Sequence, residues 1–261
     1  METIMFKKNP DPALDTESIL KDARRELALP SRRLFAKRAL TLGGLSLLTG
    51  CNITDEPSVN RMLERISRMN DGVQGWLFDP KRLAPTYTQA EITRPFPFNA
   101  FYAIEEVPDI DGGDYQLEVS GLVTNKQPWT LEQLHRLPQN EQITRHICVE
   151  GWSAIGRWGG VPFSYFLKQI GADLSAKYID FKCGDDYHTS IDMPTALHPQ
   201  TQLTLTYDGQ ILPPKYGFPM KLRMPTKLGY KNPKHIMSIE VTNKYPGGYW
   251  EDQGYNWFGG A

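Results

Sequence analysis

Residues 145–152 read Arg-His-Ile-Cys-Val-Glu-Gly-Trp. A cysteine that only fills a core sits most comfortably among Leu, Val and Ala, but Cys148 is fenced by Arg145, His146, Glu150 and Trp152. The run Gln142–Val149 fits a strand, which sets Cys148 at the strand's C-terminal end. Arg145 and His146 beside it are expected to favour the thiolate, the form of sulfur that binds metals and attacks electrophiles. The plain alternative is an inert buried cysteine, since free Cys is among the residue types most often buried. The compartment this sulfur meets decides between the two.

The first 51 residues bear on that compartment. Residues 17–28 fit a short amphipathic helix, and Ser-Arg-Arg-Leu-Phe-Ala-Lys follows at 31–37. A weakly apolar run from Ala39 to Gly50 comes next, too short for the ~20 residues that span a bilayer. Charged region, short apolar region and small residues in that order form a targeting signal. The paired Arg32 and Arg33 with Phe35 and Lys37 resemble a twin-arginine signal, an address for exporting folded proteins. Leu48-Thr49-Gly50-Cys51 resembles a lipobox, in which Cys51 would carry a lipid anchor. The expected location is therefore the periplasm, with a lipid tether to the membrane. Export in the folded state favours a cofactor acquired beforehand.

With Cys51 set aside, Cys148 and Cys183 remain of the three cysteines. In an oxidising compartment they could pair, or one could be a ligand. The chain has no CxxC, CxxCH or HExxH, so zinc and attached haem are not indicated. Nor does it have GxGxxG or GxxxxGK[ST], so neither is a nucleotide fold. A formal net charge of −1 gives no reason to expect a nucleic-acid partner.

With 40 % hydrophobic residues, 261 residues suffice for a sizeable core. The spacing of Met62, Ile66 and Met69 predicts an amphipathic helix over 59–70, ended by Asn70-Asp71-Gly72, with loop from 73 to 100. Strands are expected at 115–120, 142–149, 178–183, 203–207, 220–224 and 236–242, with a hairpin turn at Asp208-Gly209. Thr130 and Gln133 form a capping box for one short helix, and Pro162 suits the first turn of another that stops at Gly171. The aromatic, glycine-rich tail is expected to wrap the surface. This is an α+β pattern with mixed sheets and few helices.

Two further constellations stand out. Residues 215–235 carry Lys215, Lys221, Arg223, Lys227, Lys231, Lys234 and His235 with no acid, a segment suited to a phosphate or to a solvated basic face. Residues 97–104 offer Asn99 with Phe101 and Tyr102, the hydrogen-bonding edge and flat face that a polar heterocycle needs.

Phe98-Asn99-Ala100-Phe101-Tyr102, then Arg145–Trp152, then Gly217-Phe218-Pro219 and Gly229–Lys234, in that order, resemble the sulfite-oxidase-type molybdopterin oxidoreductases. Within them the likeness is to the catalytic subunits of periplasmic protein-methionine-sulfoxide reductases. The resemblance implies a sulfite-oxidase-type molybdopterin-binding domain and makes Cys148 the thiolate on molybdenum. It implies that Asn99, Tyr102 and Ala103 hold the pterin. Cys183 stands where the family has Thr, Tyr216 where it has Asn, and Lys221 where it has Arg. Lys221 keeps the charge for the cofactor phosphate but loses the bidentate fork. Asn232, Pro233 and Lys234 match a loop closing over that phosphate. The immunoglobulin-like dimerisation domain of sulfite oxidases is expected to be lacking, and a membrane haem subunit is implied as the electron donor.

The expected organisation is a signal over 1–51, an N-terminal helix and linker over 52–95, the catalytic domain over 96–245 and a tail over 246–261. The expected activity is two-electron oxygen-atom transfer, reducing a sulfoxide such as protein-bound methionine sulfoxide. An aromatic rim of Trp152, Trp158 and Tyr187 would suit that neutral substrate. Glu150 would oppose an anion such as sulfite. The alternatives are a sulfite-type dehydrogenase and a non-catalytic exported lipoprotein that binds a partner through its tail.

Overall fold

The computed structural model describes residues 57–261. The arginine pair, the apolar run and Cys51 lie outside the described residues. Helix α1, Pro57–Leu77, comes first. It passes through Asn70-Asp71-Gly72, where the sequence predicted its end. Asp71 does not terminate its own chain: its carboxylate accepts hydrogen bonds from Asn256 Nδ2 at 2.7 Å and from the Phe258 amide at 3.1 Å. A mid-helix glycine costs only about 1 kcal/mol, which such tertiary bonds offset.

Ten strands follow in two sheets, with short helices between them. The first sheet has the order β2-β1-β10-β5-β6, from β1 (Gln116–Gly121), β2 (Trp129–Thr130), β5 (Tyr178–Cys183), β6 (His188–Asp192) and β10 (Ile236–Thr242). Only β1 and β10 run parallel in it. The second sheet joins β3 (Asn140–Ile147), β4 (Ser153–Pro162), β7 (Gln202–Tyr207) and β8 (Gln210–Ile211), with β9 (Lys221–Arg223) also on β7. The sheets are mixed and the helices few, as the sequence pattern predicts.

Apolar faces of both sheets meet in one core. Leu117, Ile179, Phe181 and Ile239 come from the first sheet, and Val161, Leu203 and Leu222 from the second. Helix α3 (Phe163–Gln169) buries Phe163, Phe166 and Leu167 in the same cluster. Each such side chain contributes roughly 1.5–3 kcal/mol by leaving water. Pro162 is the helix's N-cap and the last residue of β4, not part of the first turn. Helix α2 (Leu131–Arg136) opens on the expected box, with the Gln133 amide donating to Thr130 Oγ1 at 3.2 Å. Helix α4, Met193–Ala196, completes the set.

Strand β4 was not among the expected strands, and it carries Gly156, Gly159 and Gly160. Here they answer a close approach: a Cβ on Gly160 would run into the Leu203 carbonyl of β7, and the register shifts at Gly159/Gly160. A smaller cluster of Phe96, Ala154, Trp158, Leu212 and Tyr216 forms beside the main core.

The tail wraps the body as expected, with one 3-10 turn, Glu251–Gln253. It is also bound internally. Glu251 forms an ion pair with Lys231, and both side chains are 1 % exposed. Glu251 further accepts from Thr189 Oγ1 at 2.7 Å, while Lys231 Nζ donates to the Ser190 carbonyl at 2.6 Å. Removing one partner from a buried pair strands the other charge. Glu251→Ala is therefore expected to destabilise the protein by about 3–5 kcal/mol in urea titration, and Glu251→Gln, which keeps an acceptor, by less.

Candidate active site

Strands β3 and β4 form a hairpin, and Cys148 is the first residue of the loop that joins them. The Cys148 amide donates to the Trp152 carbonyl at 2.9 Å, and the Gly151 amide donates to the Cys148 carbonyl at 3.2 Å. The thiol is thereby fixed at a rigid tip. Cys148 and Cys183 are both free, so the disulfide reading does not hold.

Around that tip several segments enclose a cleft of about 770 Å³, counted out to its mouth. Segment 99–102 supplies Asn99, Phe101 and Tyr102; the turn after β5 supplies Asp185 and Tyr187; β9 supplies Lys221. The loop Gly229–Lys234 supplies Tyr230, Asn232, Pro233 and Lys234, and the tail supplies Trp250 and Tyr255. Of the residues singled out in the sequence, Asn99, Tyr102, Cys148, Lys221, Asn232, Pro233 and Lys234 line the cleft. Ala103, Cys183 and Tyr216 are not among its lining residues. Ala103 is exposed beside Tyr102 and caps the 3-10 turn that follows. Cys183 ends β5 and packs against the main core, where burial pushes its thiol well up. Tyr216 lies in the smaller cluster and donates to the Phe96 carbonyl at 2.8 Å.

The electrostatics of the thiol differ from the sequence expectation. Burial pushes Cys148 up, and the Glu150 carboxylate, 3.7 Å from Sγ, adds to the rise. Arg145 faces the other side of the sheet, over the Tyr87 ring at 5.1 Å. Burial and the cations Arg223, Lys221 and Lys234 hold the His146 imidazole neutral, well below its usual range. Neither neighbour stabilises a thiolate, because alternation sends one away and burial discharges the other.

His146 is instead paired with Asn99, whose Nδ2 lies 3.0 Å from Nε2. With the amide donating, Nε2 accepts and the ring proton sits on Nδ1, a buried atom without a partner among the described residues. Gly229 closes over this pair. A Cβ there would come within 2.7 Å of His146 Nε2 and 3.1 Å of Asn99 Nδ2.

At the other wall stand the cations. Lys221 has no hydrogen-bond acceptor among the described residues and lies over the Trp158 ring at 4.9 Å. Its pKa falls well below the ordinary lysine value through burial and through Lys234 and Arg223. Arg223 is held by the Arg145 carbonyl at 2.6 Å and by Asn232 Oδ1 at 3.2 Å. Burial lowers Lys234 to about 8, opposed by Asp185. Asn232 is committed to the loop: its Oδ1 also accepts from the Met224 amide at 2.6 Å, and its Nδ2 donates to the Leu228 carbonyl at 3.0 Å.

The mouth is aromatic. Phe101 stacks on Tyr249 with centroids 4.7 Å apart, and Trp250 packs against Tyr255 at 5.1 Å. Tyr187 lines it as expected, with its hydroxyl donating to the Tyr230 carbonyl at 2.6 Å. Trp158, expected at the rim, is fully buried beneath Lys221. Trp152 packs on His146 and donates to Glu150 Oε2 at 2.9 Å. Asp185 and Tyr255 were not singled out in the sequence, whereas Gly229 and Tyr230 lie in the stretch Gly229–Lys234 that was.

The cleft fits a cofactor that is anionic at one end and binds metal at the other. A buried ammonium facing the cleft without an acceptor calls for a phosphate. Among the described residues no three His, Cys, Asp or Glu side chains converge on a metal, so the protein's donor set here is a single soft sulfur.

Residues 104–250 match the family described as the oxidoreductase molybdopterin binding domain. Over 259 residues, 98 % of this chain and 99 % of the relative, the sequence is 65 % identical to an Azospira oryzae protein provisionally named protein-methionine-sulfoxide reductase subunit YedZ1. It is 32 % and 30 % identical to the protein-methionine-sulfoxide reductase catalytic subunits MsrP of Ralstonia nicotianae and Burkholderia mallei, over 56 % of this chain and 49 % of each. The sulfane dehydrogenase SoxCD of Paracoccus pantotrophus superposes with a TM-score of 0.50 at 20 % identity, covering 53 % of this chain and 40 % of that one. That last likeness is one of fold.

Two substitutions test the cleft by pterin fluorescence and molybdenum content of purified protein. Gly229→Ala forces the His146–Asn99 pair apart, and Lys221→Met removes the free cation. Each is expected to lower cofactor content about tenfold or more while the far-ultraviolet circular dichroism stays unchanged.

Proposed function

The chain belongs to the oxidoreductase molybdopterin-binding-domain family and is a molybdenum-dependent oxidoreductase with molybdopterin as its cofactor, and on that premise we propose that it reduces a sulfoxide, methionine sulfoxide in a polypeptide being the substrate class. The observation that carries the proposal is the make-up of the cleft, which is lined by Lys221 and Lys234 and also by the Glu150 carboxylate and the rings of Phe101, Tyr187, Trp250 and Tyr255. An anionic substrate would meet Glu150 beside the thiol, whereas a neutral sulfoxide with a thioether-like stem finds ring faces in Phe101, Tyr187, Trp250 and Tyr255.

Cys148 Sγ is the protein ligand to molybdenum in this reading. The protein alone holds that thiol protonated, so metal binding itself deprotonates it. Asn99 and Tyr102 hold the pterin; the Tyr102 hydroxyl donates to Asp185 Oδ2 at 2.9 Å, which fixes the ring. Lys221 and Lys234 take the phosphate, and Asn232 and Pro233 shape the loop over it. Bound there, the cofactor would supply the two-electron chemistry of oxygen-atom transfer. The net reaction takes sulfoxide, two electrons and two protons to thioether and water. Glu150 is placed to relay protons, with Oε2 between Cys148 Sγ and Trp152 Nε1.

The reading extends to a setting that rests on sequence alone. Arg32-Arg33 directs export to the periplasm, Cys51 receives a lipid, and electrons come from a separate membrane haem subunit. The name "catalytic subunit" borne by the Ralstonia and Burkholderia relatives supports a second subunit.

Enzyme purified after native export is expected to oxidise reduced viologen dye with methionine sulfoxide and to show no sulfite-dependent reduction of ferricyanide. The reverse result would make it a dehydrogenase. Cys148→Ser is expected to fold and lose turnover. Trp250→Ala is expected to raise KM for a sulfoxide peptide about tenfold, with kcat little changed, the signature of lost apolar contact.

A further inference from the structure

Helix α1 is amphipathic, yet it turns its polar side to the protein. Asp71 bonds to Asn256 and Phe258, Gly75 faces the Phe258 ring, and Arg68 covers Tyr245 at 5.0 Å. At about 100° per residue, Leu63, Ile66, Met69, Val73, Trp76 and Leu77 form a stripe on the other side. Trp76 is 82 % exposed, Leu77 67 % and Met69 61 %. So much apolar surface gathered on one helix marks an interaction site rather than scattered exposure.

From this geometry we infer that α1 lies on an anionic lipid surface, with the stripe sunk into the boundary between headgroups and acyl chains. The helix has the make-up of an interfacial one, with Trp, Leu, Met and Ile on one side and Arg65 at its margin, where anionic headgroups would sit. No helix among the described residues is long and apolar enough to cross a membrane, so the helix lies on the bilayer and does not span it. The apolar surface continues to Leu83, 57 % exposed, beside Lys81 and Arg82, which repeats the pairing of apolar and basic groups. A fluid boundary accommodates a convex stripe of flexible Met and Leu side chains, whereas a folded partner would need a matching groove. The inference concerns residues 63–83 and holds whatever the substrate and whether or not Cys51 carries a lipid.

The test uses the full chain bearing Cys51→Ala, so that no acyl group contributes, with vesicles of phosphatidylethanolamine and phosphatidylglycerol. The Trp76 component of the fluorescence is isolated by subtracting the spectrum of Trp76→Phe. The expected result is a blue shift of that component on adding vesicles, with quenching by brominated acyl chains. Met69→Ser combined with Leu77→Ser is expected to lower the vesicle-bound fraction about tenfold. Arg65→Glu with Lys81→Glu is expected to remove the dependence on phosphatidylglycerol. A Trp76 emission unmoved by vesicles overturns the inference, even if the protein floats with them. So does an emission already shifted without lipid and rising with protein concentration, which would assign the stripe to a second copy of the chain.

Discussion

Lys221 is a lysine taken out of water with no hydrogen-bond acceptor among the described residues. It faces the cleft from β9, with Arg223 and Lys234 adding like charge and the Trp158 ring 4.9 Å from its Nζ. An uncompensated buried charge costs several kcal/mol, so in the empty cleft burial and like charge favour the neutral amine, and an arriving counter-ion restores the ammonium. The fold holds this wall open through Asn232, which ties the loop to Arg223 and Met224, and through the cluster under Trp158. An anion bound against Lys221 would therefore be coupled to stability, because it would stabilise the folded state alone.

The thiol end obeys a different constraint. Cys148 occupies a hairpin tip whose backbone bonds fix its direction, while burial and Glu150 keep the free thiol protonated. A protonated thiol is a poor nucleophile, and in the proposed role a metal would have to take its proton. The two ends are bridged by Gly229, which brings the loop Gly229–Lys234 against His146 and Asn99.

Much of this was legible in the sequence, and the failures have physical causes. The strand before Cys148, the box at Thr130 and the turn at Asp208-Gly209 rest on local chemistry, and local chemistry is readable. Strand β4 was not, because its glycines serve the approach of β7, a partner some 40 residues away. The end of α1 was missed because Asp71 answers to the tail, not to its own helix. Position along the chain drew Cys148 together with Arg145, but strand alternation separates them. Trp158 read as rim and proved to be floor; Trp250 and Tyr255 read as tail and proved to be rim. Residue types announce chemistry, but only the paths of β9, the loop after it and the tail decide which of them meet.

The central claim is a bond between the Cys148 sulfur and molybdenum. X-ray absorption at the molybdenum edge of loaded protein tests it directly, provided that Cys148→Ser retains its cofactor through the phosphate wall. The account predicts one sulfur neighbour fewer around molybdenum in Cys148→Ser than in the unaltered protein. An equal number of sulfur neighbours in the two would contradict it.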